Sequence, residues 1–235
     1  MGGLALLFDL DGTLVDSLPG IEYSCELALQ LVAPECVLPS LREYLGPPIR
    51  RILAELLPDF DAERLDEVER YFRASYDSEG WQKSVAYDGV PETLRRLAGA
   101  GYRCFVITNK PQGPSRRILA HLQLMRHIEE VVSPDSKAPP YRSKAEGVRH
   151  LIHKFGLDAE RAVLVGDSED DALAAEMSGV RFAAVSYGYG CAHLSAKVPH
   201  AYALPDFASL LTVVTSFRHD LEGGVGGTTE RVGQL

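Results

Sequence analysis

LALLFDLDGTL, residues 4–14, runs from five apolar side chains straight into Asp9 and Asp11, separated by one residue and followed by Gly12 and Thr13. Leu4, Ala5, Leu6, Leu7 and Phe8 contain no polar position, as expected of a strand buried on both faces of a parallel sheet. Asp9 stands where that strand ends. Open α/β sheets bind their ligands beyond the carboxyl ends of the strands. Two residues apart in extended chain, the Asp9 and Asp11 carboxylates point to one side. They repel, and each loses hydration if buried. An oxygen-liganded Mg²⁺ is the expected compensation. Gly12 permits the sharp turn that must follow.

Further apolar runs at 104–107, 130–132, 162–165 and 180–185 read as strands. Helical patterns at 91–100, 113–122, 144–155 and 170–178 separate them, and another follows at 207–217. Strand and helix in alternation predict an α/β fold with a Rossmann-like parallel sheet. Residues 17–85 break the alternation. Helical stretches at 22–32, 49–57 and 62–78 are punctuated by Pro39, Pro47, Pro48 and Pro58. The expectation is a small helical domain over 17–85, inserted after the first strand of a core made of 1–16 and 86–220. Residues 221–235, glycine-rich and short of large apolar side chains, are expected to form a flexible tail.

The 235 residues are 46% hydrophobic and 24% charged, with a net charge of −9. No basic block is present, which argues against a nucleic-acid partner. No segment reaches the length of a membrane helix and no cationic leader precedes the first apolar run. A cytoplasmic protein, monomeric or homodimeric, is expected. Cys25, Cys36, Cys104 and Cys191 lack the spacing of a zinc site and read as free thiols.

Two other strand ends carry chemistry. One continues as Thr108-Asn109-Lys110-Pro111, the other as Gly166-Asp167-Ser168-Glu169-Asp170-Asp171. A hydroxyl, an amide and more carboxylates thus converge on the edge that holds Asp9. Glu169 and Asp170 read as the acidic first turn of a helix.

This set resembles the haloacid dehalogenase superfamily, in its phosphatase branch. Asp9-Leu10-Asp11-Gly12-Thr13 matches the first motif, D-x-D-G-T. Thr108 matches the second, and Gly166, Asp167 and Asp171 match the fourth, G-D-x-x-x-D. Tyr187-Gly188-Tyr189-Gly190 and Thr108-Asn109-Lys110-Pro111 are similar to the phosphoglycolate phosphatase group. The resemblance implies a Mg²⁺-dependent hydrolase of a small phosphorylated metabolite. Asp9 would be the nucleophile and Asp11 the general acid and base. Asp9, Asp11 (through its carbonyl) and Asp167 would hold the metal, with Asp171 orienting the site. Thr108, Asn109 and Gly12 would border the phosphoryl group.

For the third-motif lysine, Lys137 and Lys144 compete. Lys144, in Ser143-Lys144-Ala145-Glu146, opens the helix that leads toward Asp167, whereas Lys137 sits in a proline-rich loop. A lysine fixed at a helix start is the better preorganised charge, so Lys144 is chosen as catalytic. Arg50, in Gly46-Pro47-Pro48-Ile49-Arg50, is the candidate substrate contact from the insertion. The alternatives are a phosphomutase of the same superfamily, similar to β-phosphoglucomutase, and a non-enzymatic phospho-acceptor or binding protein.

Overall fold

The computed structural model describes residues 4–191, 194 and 202–222. Strand β1 (Ala5–Phe8) is the centre of its main sheet. Leu6 and Phe8 enter one hydrophobic cluster, Ala5 and Leu7 the other, on opposite faces. The period of two dictates this division. β4 (Arg103–Ile107) and β6 (Ala162–Gly166) flank β1 and divide their side chains the same way: Cys104 and Val106 against Phe105 and Ile107, Val163 and Val165 against Ala162 and Leu164.

β5 (Glu130–Val132), β7 (Arg181–Val185) and β8 (Tyr202–Leu204) complete six parallel strands in the order β5-β4-β1-β6-β7-β8. From β1 the chain passes first to β4 and β5, then returns to β6 on the other side of β1. This reversal opens the crevice in which such sheets bind ligands. Helices α4 (Val90–Gly99), α5 (Gln112–His121), α6 (Lys144–Phe155), α7 (Glu169–Ser178) and α8 (Leu210–Glu222) accompany these strands.

β8 was not anticipated. It is a three-residue edge strand with Tyr202 and Ala203 exposed, too short for an apolar run. Leu221 and Glu222 belong to α8, so helix continues past the expected start of the tail; residues 223–235 lie outside the described residues.

Between β1 and β4 stand α1 (Leu18–Val32), α2 (Ile49–Leu56) and α3 (Ala62–Ser78), with a hydrophobic cluster of their own. α3 buries Leu65, Val68, Phe72 and Tyr76, three and four residues apart on one face. Its N-terminus is capped by Asp61, which accepts from the Arg64 amide. The two connections to the sheet run side by side as a ribbon, β2 (Val15–Asp16) against β3 (Val85–Ala86). Two further links tie the helices to the sheet layer. Arg117 on α5 meets the Asp77 carboxylate at 2.5 Å, and Arg42 donates to the Tyr187 carbonyl at 3.3 Å. All four cysteines are free thiols. No helix among the described residues is long and apolar enough to cross a membrane.

Candidate active site

Because β4, β1 and β6 are in register, the residues that follow them meet at one edge. Phe8 pairs with Val106 and Val165. Asp9, Thr108 and Asp167 therefore emerge together, and all three are buried.

The helices add the rest. In α7, Ser168 is the N-cap and Asp171 the third helical residue of a reciprocal capping box. Asp171 Oδ2 accepts from the Ser168 amide at 3.1 Å and its hydroxyl at 2.5 Å. The four-residue spacing of Asp167 and Asp171 is thus one strand end plus one capped turn. In α6, Ser143 is the N-cap and Lys144 the first helical residue. A cation there opposes the helix dipole, and Lys144 is also 5% exposed. What offsets both costs is acidic company: its ammonium lies 3.0 Å from Asp9 Oδ1 and 2.6 Å from Asp171 Oδ1.

Asp9, Asp167 and Asp171 bring carboxylate oxygens within 4.8 Å of one another. Burial pushes the Asp9 carboxyl well above its usual range; Lys144 opposes this, and Asp171, Asp167 and Asp11 add to it. Burial and Asp171 raise Asp167 to about 6, against the Gly190 amide and Lys144. Burial alone would lower the Lys144 ammonium, but Asp171 and Asp9 outweigh it and hold the group above the ordinary lysine range. Three carboxylates facing one ammonium leave an excess negative charge among oxygen donors. That donor set fits a hard divalent cation. Asp171 has both oxygens engaged, by Lys144 and Ser168, and Asp167 accepts from Thr13 and the Gly190 amide, whereas Asp9 gives only Oδ1 to Lys144.

Asp11 does not share this cluster's lysine. Lys110 lies 3.1 and 3.2 Å from its two oxygens. Burial would lower the Lys110 ammonium, but Asp11 and the Tyr76 hydroxyl together more than offset it, so Lys110 is also held above the ordinary range. The two neighbouring acids of the opening motif are therefore each answered by an ammonium from a different element. Sequence reasoning missed Lys110; the signal was its place two residues beyond Thr108, at the same strand end.

The turn after Asp9 is built close around Asp167. Gly12 has φ +86°, and a Cβ there would lie 2.3 Å from Asp167 Oδ2. A Cβ on Gly188 would lie 2.3 Å from Asp167 Cβ. Thr13 Oγ1 and the Gly190 amide donate to Asp167 at 3.5 and 2.9 Å. The Tyr189 hydroxyl accepts from the Ser17 and Leu18 amides and donates to Asp16 at 2.6 Å, where the helical insertion begins. The Tyr-Gly-Tyr-Gly segment thus joins the acidic cluster to the start of α1.

A haloacid dehalogenase-like hydrolase family profile matches residues 6–185, most of the chain. The chain belongs to that family. Across 213 residues the hydrolase is 34% identical to a 5′-nucleotidase of Pseudomonas aeruginosa, covering 90% of this chain and 95% of that protein. A plasmid-borne phosphoglycolate phosphatase of Cupriavidus necator is 36% identical over 192 residues, 79% of this chain and 81% of its own. Among solved structures, protein tyrosine kinase A of Mycobacterium tuberculosis superposes with a TM-score of 0.76 at 28% identity, covering 91% of the hydrolase and 99% of that chain.

Other candidate residues of the hydrolase take separate positions. Asn109 gives its amide to Asp170 at 2.8 Å, an exposed contact. Thr108 Oγ1 accepts from the Lys110 amide at 3.1 Å. Arg50 is engaged within the helical insertion, with Asp66 at 2.8 Å and the Ala62 carbonyl at 3.2 Å. Lys137 packs over the Tyr141 ring at 4.4 Å.

Proposed function

We propose that this hydrolase is a Mg²⁺-dependent phosphomonoesterase acting on a small phosphorylated metabolite, of the phosphoglycolate kind, through a phosphorylated Asp9. In this reading the core is 1–16 with 86–220, and 17–85 is a cap that closes over the site to exclude water. The observation that carries the reading is the buried junction of Lys144 with Asp9 and Asp171. An ammonium fixed by two carboxylates keeps its charge and position, the preorganisation that phosphoryl transfer rewards.

Asp9 attacks phosphorus and the ester P–O bond breaks. Asp11 gives its proton to the leaving oxygen. A water then attacks phosphorus and returns a proton to Asp11, the Asp9–phosphorus bond breaks, and phosphate leaves. Lys144 and the Thr108 hydroxyl hold the equatorial oxygens and restrain Asp9. The Asp9 carboxylate, the Asp11 carbonyl and Asp167 would hold Mg²⁺, with Asp171 orienting Lys144. When bound, the ion screens the nucleophile from the phosphate dianion and aligns the two. Arg50 is left out of this machinery because of its ties to Asp66 and Ala62.

The test is phosphate release from a panel of phosphomonoesters by the full chain, with Mg²⁺ and with excess chelator. Release that needs Mg²⁺ and is absent in Asp9→Asn is expected. No release from any phosphomonoester would refute the proposal.

A further inference from the structure

The solvent face of α6 and the loop before it enclose a cleft of about 670 Å³. Glu146, Arg149, His150 and His153 line it from α6, and their spacing puts them on one helical face. Ala145, Val148 and Leu151 are buried on the other face, in the cluster that holds Ala5 and Leu7. Lys144 also projects from that buried face, so the cleft lies on the side of α6 away from Asp9. Lys137 and Arg142 come from the loop. Glu146 is the one acid that lines the cleft, and Arg142 takes up both of its oxygens: the guanidinium reaches Oε1 at 2.6 Å and the backbone amide donates to Oε2 at 3.0 Å. Lys137 faces the Tyr141 ring at 4.4 Å, Arg149 donates to the Met177 carbonyl at 3.3 Å, and neither is ion-paired among the described residues.

Three fixed cations against one carboxylate leave two positive charges in the cleft, and four when both imidazoles are protonated. The whole chain carries −9, so this patch runs against the prevailing charge. His150 registers the local field. Its ring lies 5.5 Å from Tyr141. Burial lowers its pKa below the ordinary histidine value, Lys154, Lys137 and His153 lower it further, and Glu130 opposes them. Glu130 is itself paired with Lys154 at 2.6 Å. Cations gathered without counter-charge repel, and a bound anion relieves that repulsion. One phosphate group brings at most about two negative charges; a chain of phosphates matches the cleft when its imidazoles are charged as well. The planar Arg149 guanidinium suits phosphate oxygens, and the volume is that of a small-molecule site. We infer that this cleft is a second binding site, for a small molecule that carries a polyphosphate chain. Lys137 and Arg149 are its main charged contacts, and Pro139 and Pro140 supply apolar lining beside them.

The experiment titrates the full chain with tripolyphosphate, ATP and orthophosphate at fixed ionic strength in excess chelator. Without an ion, the acidic cluster around Asp9 repels all three probes. Calorimetry gives the affinities, and NMR follows the His150 imidazole. Tripolyphosphate should bind at least about 10-fold more tightly than orthophosphate, the scale of one added hydrogen bond to a charged group. It should raise the His150 pKa, because a nearby anion favours the imidazolium, and its affinity should grow as pH falls from about 8 to about 6. Lys137→Gln combined with Arg149→Gln should weaken binding by at least about 10-fold and leave phosphate release from an accepted phosphomonoester near wild type. Equal affinities for ATP and tripolyphosphate would support a site for the phosphates alone; tighter ATP would support one that also takes the nucleoside on Pro139 and Pro140. The inference is overturned by the absence of saturable binding, by undiminished binding in the double variant, or by an unmoved His150. Binding of polyglutamate or a short RNA, but of neither tripolyphosphate nor ATP, would also overturn it and give this face to a macromolecule. All of these outcomes are read without turnover, so the hydrolase reading stands or falls separately.

Discussion

Lys144 and Asp9 stand 135 positions apart in sequence and 3.0 Å apart in space, at the first turn of α6 and the end of β1. Their pairing separates two candidate lysines by geometry. Lys137, seven positions earlier, lies over the Tyr141 ring. Lys144→Ala should therefore cost at least about 10²-fold in kcat, on the scale of one lost transition-state contact. Lys137→Ala should stay near wild type. Steady-state kinetics on any accepted phosphomonoester reads both, and the reverse pattern would return the role to the loop.

Burial and Asp171 set a pH dependence for the metal-free chain. Asp167 is raised from 3.8 to about 6 on folding. Between those values the folded state holds more protons than the unfolded one, so this group's contribution to stability falls as pH rises through the window. Asp167→Asn removes that penalty. In chelator at pH 7 the variant should be more stable than wild type by on the order of 1–3 kcal/mol, the gap closing toward pH 4. Denaturant melts across pH measure it. Parallel curves would mean that Asp167 titrates normally.

Excess negative charge around Asp9 also sets a metal dependence. Mg²⁺ should raise Tm in wild type and much less in Asp167→Asn, since binding to the folded state alone stabilises it. Ca²⁺ should bind yet support turnover poorly, because its looser shell does not enforce in-line geometry. Equal turnover with both ions would contradict a role for the ion in aligning nucleophile and phosphate.

Gly12 tests the packing of the turn. Gly12→Ala strains a backbone at φ +86° and drives a methyl to 2.3 Å from Asp167 Oδ2. Left-handed strain alone costs on the order of 1 kcal/mol, and the clash must displace Asp167. Activity should fall more than stability does. An active Gly12→Ala chain would show that Asp167 has room to move.

Much of this arrangement could be read in advance because local chemistry and fold agree. The apolar faces of residues 4–8 demand burial on both sides, and Leu6 with Phe8 and Ala5 with Leu7 indeed enter opposite clusters. Ser143 and Lys144 mark a helix start in the sequence, and α6 begins there. Ser168 and Asp171 form a capping box that is equally visible in the sequence, and that box sets the motif spacing. Long-range relations were harder. Its place after Thr108 puts Lys110 at the right strand end, but it does not say which acid, 99 positions away, Lys110 will face. Nothing local to Tyr76 says that α3 brings it over Lys110. β8 escaped because edge strands with exposed residues bury too little to leave a pattern.

The central claim is a phosphorylated Asp9, and trapping it is the most direct measurement. Asp11→Asn should slow hydrolysis of the intermediate by roughly 10²–10⁴-fold, the range of a lost acid–base group. The variant is mixed with a substrate whose leaving group needs no proton, quenched, and reduced with borohydride, which converts an aspartyl phosphate to homoserine. Peptide mass spectrometry should find homoserine at position 9 and nowhere else. Turnover by the wild type with no modified residue in the trapped variant, or with modification at another carboxylate, would contradict the account.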